Sequence, residues 1–145
     1  MQPVKKLFPK KETPFIHEFM DEIKKHHPTI WYFKSHGEPM QVRGVPDILM
    51  CYYGIFVAME FKIMRNGTIS YSPLQEYTIE LIGKSNGIAL TVWFDNRNGD
   101  VGIGGKRCKD KKQAVVELLA TLEPMVALVK EMNERLRGFT HEKTD

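Results

Sequence analysis

Two carboxylates and one ammonium stand out because of where they fall. Between Gly44 and Phe61 the only charged residues are Asp47 and Glu60, and Lys62 follows directly. The run from Ile48 to Met59 is uncharged over twelve residues. A carboxylate in such a run is costly unless it is paired or bound to a cation. Two acids with water completing the shell suit Mg2+ or Mn2+ far better than zinc. An ion held in that way polarises a phosphate oxygen and lowers the pKa of a bound water. An ammonium beside it orients that water or stabilises the developing negative charge. Taken singly, each residue has a plainer role, as an Asp at a strand start or a Glu–Lys pair on an exposed strand.

The elements that must position these groups follow from spacing. Asp47 to Tyr53 and Ile55 to Lys62 are apolar runs joined at Gly54, which reads as a β-hairpin. Glu60 and Lys62 are two apart and share one face, while Ile55, Val57, Met59 and Phe61 share the other and face the core. A two-residue turn at Tyr53-Gly54 pairs Tyr52 with Ile55, so partner numbers sum to 107 and Asp47 falls opposite Glu60. Cβ atoms so placed lie about 4.5–5.5 Å apart. A bulged three-residue loop would shift the register by one and leave the acids diagonal.

Around the hairpin, Thr13-Pro14 reads as a helix start, and Phe15, Ile16, Phe19, Met20 and Ile23 recur at helical spacing until His26-His27-Pro28. Thr29 to Lys34 is β-branched and aromatic, a strand, and His36 to Arg43 is a polar loop. Ser72-Pro73-Leu74-Gln75 opens a helix bearing Leu74, Tyr77, Leu81 and Ile82; Gly87 to Phe94 is a strand, and Asn98-Gly99 a turn into a short strand at Val101 to Ile103. Gly102-Ile103-Gly104-Gly105 lacks the rest of a nucleotide-binding fingerprint and reads as a flexible loop. Two apolar stripes follow, from Ala114 to Leu122 and from Met125 to Leu136, both most simply core. With Pro124 between them, a kink or a junction of two helices is expected. The order predicts one α/β domain with a mixed sheet flanked by helices and ending in C-terminal helices.

With 145 residues, 42% hydrophobic and 27% charged, the chain is long enough for one domain with a core and is not disordered in composition. No uncharged stretch approaches the roughly 20 residues of a membrane span, and the N-terminus has no signal-peptide core, so a cytoplasmic protein is expected. Cys51 and Cys108 have no metal-ligand spacing and suit a reducing compartment. The adjacent His26 and His27 diverge on a helix and lack a third ligand. The net charge of +3 conceals two basic clusters, Lys5, Lys6, Lys10 and Lys11, then Lys106, Arg107, Lys109, Lys111 and Lys112. Such clusters track a phosphate backbone or are simply solvated.

Gly44-Val45-Pro46-Asp47, an apolar strand and Met59-Glu60-Phe61-Lys62 together resemble the PD-(D/E)XK nuclease signature, in the form of the VRR-NUC (virus-type replication-repair nuclease) family. The resemblance runs from Lys11-Glu12 through Phe33-Lys34-Ser35-His36-Gly37 and the hairpin to Ser72-Pro73-Leu74-Gln75 and the strand after Gly87, residues 11 to about 94. It implies a restriction-endonuclease-like core, with residues 95–145 a hairpin and helical extension. It also implies a Mg2+- or Mn2+-dependent endonuclease of a bacterial or phage-infected cell, cutting branched or four-way DNA as a homodimer. Asp47, Glu60 and the Phe61 carbonyl would bind the metal, with Lys62 working on the attacking water. The leading acid of the family falls on Glu12, and Glu18 competes for that role. Gln75 matches the family glutamine behind the catalytic strand, and equally completes a capping box with Ser72. Lys34 and His36 match a polar segment suited to DNA contact, Arg43 reaches toward a phosphate, and Lys106, Arg107 and Lys109 extend the DNA-binding set. Two other readings stay open: a restriction-like or genome-processing nuclease on another DNA substrate, and a non-catalytic nucleic-acid-binding module.

Overall fold

The computed structural model describes residues 11–35 and 43–140. Its elements are α1 (Glu12–His26), β1 (Trp31–Lys34), β2 (Ile48–Tyr52), β3 (Ile55–Met64), α2 (Pro73–Lys84), β4 (Ile88–Asp95), β5 (Val101–Ile103), β6 (Lys106–Cys108) and α3 (Lys111–Thr140). The six strands form one sheet in sequence order. All neighbours are antiparallel except β3 and β4, which run parallel and are connected through α2. A parallel pair needs such a crossover, because a tight turn can only reverse the chain.

The first two helices are started differently. α1 begins at Glu12, two residues before the expected first helical residue Pro14, and no side chain caps it. Ser72 caps α2 as expected: its hydroxyl accepts from the Gln75 N–H, and the Gln75 side chain accepts from the Ser72 N–H. α1 buries Phe15, Ile16, Phe19, Met20 and Ile23 against the sheet. Phe15 and Phe19 each meet the Phe61 ring edge-on at 5.5 Å, and Phe15 also meets Phe94 at 5.5 Å. Locking Phe61 into this core fixes its neighbours Glu60 and Lys62 on the opposite face of β3.

The β2–β3 turn decides the register. Tyr53 and Gly54 both have positive φ, 46° and 84°, which is the type I′ arrangement of a two-residue hairpin. Tyr52 therefore pairs with Ile55 and Ile48 with Met59. A side chain at Gly54 would meet Val129 of α3 at 2.5 Å, so the turn is packed against that helix.

Three expectations for the C-terminal third are narrowed or corrected. α3 is one helix running through Pro124, rather than two meeting there. The carbonyl four residues back, at Ala120, loses its helical donor, and both residues are exposed to water. The glycine stretch is no flexible loop: Gly102 lies within β5, and Gly104-Gly105 turn the β5–β6 hairpin, in which Ile103 pairs with Lys106. Gly102 is required there because the Trp93 ring occupies the position its Cβ would take. Finally, Ala114, Val115, Leu118, Leu119 and Leu122 are core, but Met125, Leu128, Met132 and Leu136 of the second stripe are exposed. Among the described residues no helix is long and apolar enough to cross a membrane.

Candidate active site

The register places Asp47 one step beyond the last rung of the β2–β3 ladder, facing Glu60. There its carboxylate substitutes for a backbone acceptor, taking the Phe61 N–H on Oδ2 at 2.8 Å. Glu60 is 3% exposed. Burial, and then the Asp47 charge, push its carboxyl up to about 8 against the opposing pull of Lys62.

Gln75 holds this group together. Its Nε2 donates to Glu60 Oε1 at 2.9 Å, and its Oε1 accepts from Lys62 Nζ at 3.0 Å and from the Ser72 N–H at 3.0 Å. The capping box and the contact with β3, which the sequence leaves as alternatives, are made by one side chain at once. Lys62 Nζ is 3.9 Å from Glu60 Oε1 and lies over the Tyr71 ring, 5.5 Å from its centre. The Tyr71 hydroxyl is 2.6 Å from Thr91 Oγ1, and Thr91 neighbours Glu60 across the parallel β3–β4 pair. Sequence reasoning missed Tyr71 and Thr91. Thr91 carried a signal, as the only polar side chain from Ile88 to Phe94.

Two loops complete the arrangement. Gly44, at φ +85°, lies so close to α2 that a Cβ would be 2.7 Å from the Leu74 carbonyl oxygen. That contact seats the approach to Asp47 on the turn that carries Gln75. On the other side is a cleft of about 410 Å³ lined by Glu12, Lys62, Ile63, Arg65, Thr68 and Ser70. Glu12 is held above its ordinary value by burial and by the Asp47 charge, with Lys62 opposing. Of the two competing glutamates, Glu12 is the one beside the site, since Glu18 pairs with Lys111 of α3 at 3.6 Å. Glu12 nevertheless does not converge with the other acids: among the described residues no three His, Cys, Asp or Glu side chains form a ready metal-ligand group.

The donors on hand are carboxylate and carbonyl oxygens, which fit a hard divalent ion. Such an ion would also relieve the repulsion that raises Glu60. Asp47 and Glu60 would hold it, with the Phe61 carbonyl as the third protein oxygen the motif implies.

The expected nucleic-acid contacts are scattered. Lys34 pairs across from Ile48, which puts it on the α1 side of the sheet and away from Glu60. His36 lies outside the described residues, as do Lys5, Lys6 and Lys10. Arg43 is exposed beside Gly44. Lys106 pairs with Glu117 at 2.7 Å, and Lys109, directly after β6, is exposed. Arg107 lies over Trp93 and binds Asp100 at 2.8 Å and the fully buried Asp95 at 3.1 Å. Arg97 binds Asp95 as well, and hydrogen bonds from it, joined by Arg107, hold that carboxyl far below the usual range. In comparisons with known proteins, the chain matches no family model and no curated protein.

Proposed function

We propose that this chain is a metal-dependent DNA endonuclease with a restriction-endonuclease-like core, hydrolysing phosphodiester bonds with Mg2+ or Mn2+. The observation that carries the reading is a single cluster. Asp47 and Glu60 face each other across a hairpin of fixed register, and Gln75 ties Glu60 to Lys62 through bonds of 2.9 and 3.0 Å. The family assignment itself rests on the motif residues.

Asp47, Glu60 and the Phe61 carbonyl hold the metal, with Glu12 at the rim of the cleft. When bound, the ion supplies a polarised phosphate oxygen and a water acidic enough to attack. Lys62 donates to that water or to the developing charge on the phosphate. Gln75 and the Tyr71 ring keep the ammonium in place, and Gln75 keeps the Glu60 carboxyl turned toward Asp47. Branched or four-way DNA is the proposed substrate. The exposed stripe Met125, Leu128, Met132 and Leu136 would be the contact with a second subunit.

Asp47→Asn, Glu60→Gln and Lys62→Ala are each expected to abolish metal-dependent cleavage of a panel of linear, flap and four-way DNA, with circular dichroism unchanged. A variant that keeps full activity removes its residue from the mechanism. A wild-type chain that binds no Mn2+ by calorimetry and cleaves none of the panel removes the enzyme.

A further inference from the structure

Glu60 belongs to one rank of side chains on the α2 face of the sheet, and each of the next two ranks carries an aromatic. Backbone pairing places Phe33, Leu49, Ala58 and Ala89 in the next rank, and Trp31, Cys51 and Phe56 in the one after. Same-face residues along a strand are about 7 Å apart, so the Trp31–Phe56 rank lies about 14 Å from the acids. Trp31 is 64% exposed and Phe56 47%. β1 is an edge strand, where charge usually protects against unwanted pairing, yet two of the four side chains here are exposed aromatics. Beside Phe56 the sheet meets α2 in a groove of about 500 Å³, walled by Phe56, Leu81 and Ile82 and rimmed by Thr78, Ser85 and Asn86.

We propose that this groove takes an unpaired nucleobase of the strand whose phosphate lies at Glu60 and Lys62. This rests on the nuclease reading for its substrate. The choice of occupant comes from the chemistry of the surface. The half-exposed ring of Phe56 is available for stacking, while the Ser85 hydroxyl and the Asn86 amide match the hydrogen-bonding edge of a base. Thr78 is only an acceptor, because its hydroxyl donates to the Leu74 carbonyl. None of these side chains is charged, and Phe56 lies on the same sheet face as the acid rank, two ranks away. A base inside a duplex has its faces covered by neighbouring pairs, so only an unpaired or extruded one can enter. A nuclease so built selects substrates with a single-stranded or distorted segment a short way from the cut.

The chain contains only two tryptophans, and Trp93 is 6% exposed, so quenching of emission reports on Trp31. The test titrates the Glu60→Gln protein with oligo-dT and with a blunt duplex of equal length. Saturable quenching is expected with the single strand and little with the duplex. Trp31→Phe should erase the signal. Phe56→Leu should weaken single-strand binding about tenfold, as losing one stacked base does, with the melting temperature unchanged. Equal quenching by both DNAs, or unaltered affinity in Phe56→Leu, overturns the proposal. So does emission that changes with protein concentration alone alongside a doubled mass, which makes this face a contact between two copies. Cleavage by the wild type is measured in parallel. If it cleaves no DNA while the single strand still quenches Trp31, the base site stands and the nuclease reading fails. If it cleaves and Phe56→Leu binds and cuts as well as wild type, only the base site fails.

Discussion

Burial and the Asp47 charge raise Glu60 to about 8, so near neutral pH and without a cation it is largely protonated. Its ordinary value is 4.5, and between the two the folded chain binds this proton more tightly than the unfolded chain. The stabilisation is complete below about pH 4.5 and is lost as pH rises through 8. Urea unfolding without metal should therefore show stability declining across that window, and Glu60→Gln should flatten this part of the profile. A metal needs the carboxylate, so Mn2+ binding should release a proton. Calorimetry near neutral pH in two buffers of different ionisation enthalpy reads that release directly, and a heat independent of buffer would contradict it. Gln75 permits a second separation. Ser72→Ala removes only the cap and should cost about 1 kcal/mol of stability while leaving cleavage nearly intact. Gln75→Ala removes the ties to Glu60 and Lys62 too, and should lower kcat at least tenfold. At this scale the two acids and the lysine were legible, because charge in an apolar run is conspicuous. The double role of Gln75 was not, because each role alone accounts for a glutamine three residues after a serine.

The hairpin shows why element geometry could be read further than its turn chemistry suggested. Tyr-Gly is a poor type I′ sequence, since a tyrosine at φ 46° is strained. The packing of Gly54 on Val129 holds it there, a tertiary cause invisible from local preference. β6 was missed for a related reason. Lys106, Arg107 and Lys109 read as a phosphate-tracking or solvated cluster, whereas Asp95, Asp100 and Glu117, 7 to 12 residues away, neutralise the first two on an edge strand. Gly44 makes the sharpest test at this level. Its φ of +85° and the Leu74 oxygen, 2.7 Å from where a Cβ would sit, leave no room for a side chain. Gly44→Ala should cost about 1–3 kcal/mol from backbone strain. Because the loop and α2 must separate, Asp47 should also move away from Gln75 and Glu60, with kcat falling more than the lost stability explains. Wild-type kcat in a destabilised Gly44→Ala would show that this loop supports the fold without positioning the acid.

Across the whole molecule, charge is less available than its placement along the chain implies. The cluster from Lys106 to Lys112 looks like a phosphate rail, but Lys106, Arg107 and Lys111 face Glu117, the Asp95–Asp100 pair and Glu18. Arg97, exposed beside them, is likewise held by Asp95. An arginine engaged by two carboxylates contributes little to counterion release, because its charge is already compensated before DNA arrives. Among the described residues the cations near the acids are Lys62 and Arg65 of the cleft and Arg43, the last carried on the Gly44 loop. DNA binding by the Glu60→Gln protein should therefore show a shallow dependence on salt. Arg43→Ala should reduce the slope of log K against log salt by about one, as the loss of one phosphate contact does. Lys106→Ala and Arg107→Ala should leave that slope in place. Arg107→Ala should instead lower the melting temperature, because it strips a partner from the fully buried Asp95. A slope that drops by one in each of the β6 variants, with melting temperature unchanged, would return this edge of the sheet to the DNA and show that the carboxylates release their arginine when a phosphate competes for it.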